Sequence, residues 1–179
     1  MAEPALVAPN ALGTMPEGAE PGTEPVDPAP DAPAALEAAA LERAFEGDPR
    51  RLRRFLSVIR AALPAGTSIG LRGSAVVGQA YETGAPFDAA GPGTSDLDVV
   101  IIGDEVMDLF APDARLLGGV NTLPLSDAEP WVAPALDRAR RTAQAIARRP
   151  VSIQAMPRWF LDLRSVVQDQ PYVLLDGDR

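Results

Sequence analysis

Two carboxylates, Asp96 and Asp98, open the apolar run Val99-Val100-Ile101-Ile102, and a Gly73-Ser74 pair precedes them, with Ser74 22 residues before Asp96. Side chains alternate along a β-strand, so Asp96 and Asp98 face one side while Leu97 and Val99 face the other. Their Cα atoms then stand about 6–7 Å apart, and two ionised carboxylates so placed on an apolar strand need compensation. Divalent cations supply it. Hard carboxylate oxygens can share Mg²⁺ or Mn²⁺, and the bound ions can in turn hold a triphosphate. The Gly-Ser turn offers the complementary half: glycine admits close approach, and a serine hydroxyl with N–H groups at a helix start suits a phosphate. An Asp-x-Asp alone often does no more than solvate the edge of a sheet. The joint pattern is what points to chemistry.

What the chain lacks narrows that chemistry. It has no Cys and no His, which removes disulfides, Cys or His metal sites, thiol and Ser-His nucleophiles, and imidazole acid–base catalysis. All 16 basic residues are arginine, so neither a Schiff base nor a phosphate-loop lysine is available. Carboxylates must do the titratable work, with arginine as a fixed charge.

The 179 residues suffice for one domain with a sizeable core. With hydrophobic residues at 46% and aromatics at 5%, that core must be mainly aliphatic. Of the net charge of −9, residues 1–33 carry −6 (six acids, no base), which leaves −3 for residues 34–179. A nearly neutral domain gives no support for broad affinity to nucleic acid. No run of about 18 apolar residues suggests a membrane span, and no basic start with an apolar segment marks the N-terminus, so a cytoplasmic location is expected.

The elements that must position the aspartates follow from periodicity and punctuation. Residues 1–33, with eight of the 19 prolines among acidic and small residues, read as a disordered tail. From about Ala34 the chain is rich in helix formers until Gly47 and Pro49. "PRRLRRFLSVIRAAL" then places Leu52, Phe55, Leu56, Ile59 and Leu63 on one helix face. Its Arg50, Arg51, Arg53 and Arg54 read as a solvated face. A short strand in "TSIGLRG" leads to the Gly-Ser turn and a short helix over 74–81. Residues 82–94 must be a loop. "DLDVVIIG" is a strand buried on both faces, and "DEVMDLF" a short helix capped by Asp104. Residues 111–125 look irregular. Ser126 and Glu129 stand in capping-box spacing at the start of a long helix, although Pro134 argues for a later start. "PVSIQAM" is a further strand, "RWFLDLRSVV" a helix, and "PYVLLDG" an edge strand or packed tail. The expected fold is α/β (α+β): a small mixed sheet of three to four strands covered by helices.

Gly73-Ser74 followed by Ser95-Asp96-Leu97-Asp98-Val99 resembles the nucleotidyltransferase superfamily that includes DNA polymerase β, poly(A) polymerases and aminoglycoside nucleotidyltransferases, whose hallmark is a Gly-Ser turn and a hydrophobic-Asp-x-Asp-hydrophobic strand. The likeness extends over about residues 50–175, with its specific motifs in 71–102, and it looks similar to a variety associated with bacterial toxin and effector modules. The resemblance implies that Asp96 and Asp98 ligate Mg²⁺ or Mn²⁺ as the catalytic pair. Gly73, Ser74, Arg72 and Ser95 would bind the nucleotide. The implied reaction moves an NMP from an NTP, such as ATP, to a hydroxyl acceptor, for which a protein or small molecule is favoured over a long nucleic acid.

Two departures bear on that implication. The interval between Ser74 and Asp96 is longer than the family usually shows. The third carboxylate expected on the next central strand is also missing: "PVSIQAMP" offers Ser152 and Gln154, neither of them a base at neutral pH. Glu82 or Asp88 in the intervening loop would be the substitute. The alternative reading is a catalytically reduced nucleotide-binding or protein-interaction module of the same fold.

Overall fold

The computed structural model describes residues 32–103 and 105–175. The reading of residues 1–33 as a tail falls, up to Asp31, outside them, as does the capping role of Asp104. Helix α1, Ala32–Phe45, begins two residues earlier than expected, with Pro33 in its first turn, where the missing N–H has no intrahelical partner to lose. Helix α2, Pro49–Arg60, is started by Asp48, whose Oδ1 accepts from the backbone N–H groups of Arg50 (2.8 Å) and Arg51 (3.2 Å). Its Phe55 and Ile59 are buried, and Phe55 meets Phe45 of α1 edge to face, ring centroids 5.1 Å apart. Arg50, Arg53 and Arg54 lie on the exposed side, as expected, whereas Arg51 is largely buried and paired with Glu46 at 3.1 Å instead of solvated.

Strand β1, Ser68–Arg72, runs into α3, Ser74–Val77, which is a single turn rather than the helix expected to 81. Gly78 ends it in the left-handed region at φ 85°. Arg43 of α1 donates to the carbonyls of Ala75 (3.2 Å) and Val76 (2.9 Å) and so ties this turn to the helical layer. Strand β2, Leu97–Ile102, carries the apolar run. The region 111–125, read as irregular, contains a small hairpin of β3, Arg115–Leu116, and β4, Asn121–Thr122.

The long helix α4 spans Pro134–Ala147, so the capping box of Ser126 and Glu129 does not start it. A 3₁₀ turn at Pro130–Val132 comes first, and Ala133 is held extended (φ −149°) because the residue before a proline is excluded from helical geometry. Buried Arg140 anchors the helix. Its guanidinium donates to Asp127 (2.7 Å), Asp137 (2.9 and 3.0 Å), Gln144 (3.0 Å) and the carbonyl of Val151 (3.3 Å). Strand β5, Val151–Ala155, helix α5, Arg158–Val167, and the edge strand β6, Val173–Leu174, complete the chain of elements.

The fold is a mixed α/β arrangement around a four-stranded mixed sheet of order β5-β2-β1-β6, with β2 and β5 parallel and the other neighbours antiparallel. Leu71, Val99, Ile101, Val151 and Ile153 project into the principal core with Phe55, Ile59, Leu136 and Ala143 from α2 and α4. On the other face Val100, Ile102 and Met156 meet Leu161 of α5 in a second, smaller core. Burial on both faces explains why β2 reads as a continuous apolar strand rather than an alternating one.

Candidate active site

Strand pairing brings one residue from each of three strands into a single row. Arg72 of β1 is the register partner of Asp98 of β2, and Asp98 is the partner of Ser152 of β5. By alternation all three lie on the α5 face of the sheet, opposite the principal core. Ser152, buried at 6% exposure, donates its hydroxyl hydrogen to Asp98 Oδ1 at 2.9 Å. A hydroxyl therefore occupies the cross-strand position beside Asp98 where a third carboxylate was sought.

The other oxygen of Asp98 faces the Gly-Ser turn. Gly73 has φ 72° and ψ −153°, and a Cβ built on it would collide with Asp98 Oδ2. Only glycine fits both the backbone conformation and the space. Ser74 follows at the start of α3, but a helix of one turn has little macrodipole, so any anion would be met by local N–H groups and the hydroxyl.

Asp96 lies just before β2 and is exposed, whereas Asp98 is half-buried. Partial burial, and then the neighbouring charge of Asp98, push the Asp96 carboxyl above the ordinary aspartate range. A raised acid pKa means that the ionised form is the disfavoured one in the fold. Its stabilising contribution is present below the unfolded-state pKa and is lost as pH rises through the folded-state value. Asp96→Asn is accordingly expected to raise the melting temperature of the metal-free protein at pH 7 by a degree or so, measured by calorimetry. A fall would show that Asp96 is paired rather than repelled.

Arg72 crosses the sheet face to donate to Gln154 Oε1, and Gln154 Nε2 donates to the carbonyl of Thr122 (2.9 Å). Thr122 also accepts from the backbone N–H of Ala155 through its hydroxyl (3.0 Å). Gln154 thus orients the arginine, a role the strand sequence did not announce.

The loop residues take other parts. Asp88 receives the N–H groups of Ser95 (2.9 Å) and Gly93 (3.0 Å) and pairs with buried Arg149 at 3.0 and 3.1 Å. Burial by itself would raise its pKa, but these donors outweigh it and hold the carboxyl below the usual range. A carboxylate so occupied is not a substitute base. Glu82 is exposed. Ser95 is likewise engaged within the loop: its hydroxyl accepts from the N–H of Asp88 (2.7 Å) and its carbonyl from Arg149 (3.3 Å).

No known family model, curated protein or solved structure matches this chain. Among the described residues no group of three or more His, Cys, Asp or Glu is arranged to hold a metal ion. The donor set that remains is two carboxylates, one of them destabilised in its charged form and neither in an ion pair among the described residues. Such a pair fits a divalent cation that takes its other ligands from a bound phosphate chain and water, and does not fit a metal held by protein alone.

Arg164 escaped the sequence reading. It stands three residues after Leu161 on α5 and so shares the face turned to the sheet. The pattern of α5 contains that face, but nothing in it says over which strands the helix lies. No helix among the described residues is long and apolar enough to cross a membrane.

Proposed function

We propose that this protein transfers a nucleoside monophosphate from an NTP to a hydroxyl acceptor, at the row formed by Arg72, Asp98 and Ser152 with Asp96 and the Gly73-Ser74 turn. The observation that supports it most is the contact between the turn and the carboxylate. Gly73 is packed so closely on Asp98 that a phosphate held at Ser74 would lie beside the two acids. Asp96 and Asp98 would hold Mg²⁺, which when bound supplies neutralisation of the phosphate charge. The acceptor oxygen attacks the α-phosphorus, the bond from that phosphorus to the β-phosphate bridge breaks, and pyrophosphate leaves with the bonding pair. The acceptor's proton passes to water or to a carboxylate. A protein or small-molecule acceptor suits a nearly neutral domain without lysine better than a long nucleic acid does.

One observation favours the reduced, non-catalytic module as a second reading: the hydroxyl of Ser152 takes the place of a base. Losing a general base typically slows a reaction about 10²–10⁴-fold, so slow turnover is expected. Ser152→Asp separates the two readings. A carboxylate beside Asp98 should tighten Mn²⁺ or Mg²⁺ binding about tenfold or more in the presence of NTP. Mass analysis of candidate acceptors after incubation with labelled NTP should then show faster labelling by an active enzyme and none by a reduced module. A variant that loses stability with unchanged metal affinity would remove β5 from the site.

A further inference from the structure

Arg72 and Arg164 carry an inference that the aspartate motif does not contain. After β5, Pro157 turns the chain into α5, which runs back over the open face of the sheet. Leu161 packs on Val100, Ile102 and Met156. Arg164, one turn further along, advances about 4.5 Å beyond Leu161 toward the row of Arg72, Asp98 and Ser152. It is half-buried there.

Both guanidinium groups are oriented by neutral acceptors. Arg164 donates from Nε to Gln168 Oε1 (3.1 Å) and from a terminal nitrogen to Gln170 Oε1 (2.6 Å). Arg72 donates to Gln154 Oε1. The buried arginines elsewhere are built differently: Arg140 is held by Asp127 and Asp137, and Arg149 by Asp88. Arg72 Nε is buried with no hydrogen-bond partner among the described residues, as is Arg149 Nε, but Arg149 is ion-paired to Asp88 whereas Arg72 is in no ion pair among the described residues. A buried donor left without an acceptor is costly. Asp98 does not meet that need, since Oδ1 accepts from Ser152 and Oδ2 faces Gly73. Burial, and then the charge of Arg72, weigh against the protonated form of Arg164 more than the nearby Asp98 carboxylate favours it, so the two cations are neighbours whose charge is only partly offset.

We propose that Arg72 and Arg164 form a grip for two linked phosphates, pyrophosphate or the β- and γ-phosphates of an NTP, which acts without a metal ion and spans from the sheet to α5. Two planar forks suit two phosphate groups better than one, because each guanidinium can pair with a separate phosphate. The biological use of the grip rests on the nucleotidyl-transfer reading; its anion chemistry does not.

The test is calorimetric titration of the full chain with inorganic pyrophosphate in the absence of divalent cations. Binding is expected to exceed that of orthophosphate, to weaken with added salt, and to fall about tenfold or more in Arg164→Gln. Arg164→Lys, which keeps the charge and loses the fork, should lie between. Asp96→Asn with Asp98→Asn should bind pyrophosphate at least as well as wild type, because a repulsive charge is removed. Should Arg164→Gln fail to fold, Gln168→Ala with Gln170→Ala releases the fork instead and should weaken binding severalfold. Wild-type affinity in the variant used, or no pyrophosphate binding by a chain that does bind Mg²⁺-NTP, overturns the grip and leaves the transfer reading standing. Arg164-dependent pyrophosphate binding by a chain that never binds Mg²⁺-NTP does the reverse.

Discussion

Asp96→Asn together with Asp98→Asn is expected to lower Mg²⁺-dependent NTP binding at least about 100-fold while the fold stays intact. Amides are poor ligands for Mg²⁺, which is bound through carboxylates and phosphate oxygens, so the double change removes both protein anchors at once. The fold has little to lose. Asp96 is exposed, and the asparagine that replaces Asp98 can still accept the hydroxyl hydrogen of Ser152 through its side-chain carbonyl. Asp96 in addition gives up an ionised form that burial and Asp98 disfavour. The melting temperature should hold or rise, and loss of binding with an unchanged unfolding curve is the decisive combination. If the double variant binds Mg²⁺-NTP like wild type, the metal assignment is wrong. The same raised pKa sets a pH dependence. On acidification Asp96 takes up its proton above the ordinary aspartate range, so wild-type Mg²⁺ affinity should begin to fall earlier than a free aspartate would predict.

Asp88→Ala should cost about 3–5 kcal/mol of unfolding free energy, because it leaves the buried guanidinium of Arg149 without its counter-charge. The Arg149 side chain is 5% exposed, against 21% for that of Asp88. The loss is wider than one ion pair. The same carboxylate accepts the N–H groups of Gly93 and Ser95, and Phe87 lies under Arg149, 4.7 Å from ring centroid to guanidinium carbon. Chemical denaturation measures the stability change, and limited proteolysis within 82–94 should report a loosened loop. Replacing Arg149 as well, by methionine, should recover part of the loss, since an apolar pair of similar volume needs no solvation. A single variant as stable as wild type would mean that Arg149 finds another acceptor.

How far the sequence revealed this arrangement depends on the range of the interaction. Val99-Val100-Ile101-Ile102 announced a doubly covered strand, and both cores contain it. The apolar face of α2 was legible for the same reason: periodicity records burial directly. Counting strands also placed Ser152 as the residue opposite the aspartates, and the register pairs it with Asp98. Of the two signals at the start of α4, Pro134 marks it and the capping-box spacing of Ser126 and Glu129 does not, because the spacing is a local preference whereas the exclusion imposed by Pro134 on Ala133 is steric. The parts played by Asp88 and Ser95 depend on Arg149, 61 and 54 residues away, and no short-range pattern encodes such a partner. Arg164 was hidden for the same reason, because the direction in which a helix crosses a sheet is a property of the packed whole.

The strand order also has a meaning in time. The row beside the aspartates is bound by contacts of long sequence separation: Arg72 meets Gln154 82 residues later, and Tyr81 donates to the carbonyl of Asp169 88 residues later. On a ribosome, β1 and β2 emerge as an antiparallel pair whose two outer edges await β5 and β6. At about 5–20 residues per second, the roughly 50 residues between β2 and β5 take roughly 3–10 s to synthesise. Through that interval the nascent chain presents Asp96, Asp98 and two unpaired edges, a template for wrong partners and a target for chaperones. It has neither Ser152 nor Arg164. The carboxylates are thus made first and the residues that complete the row last, so an arrested chain would carry the motif without the means to use it.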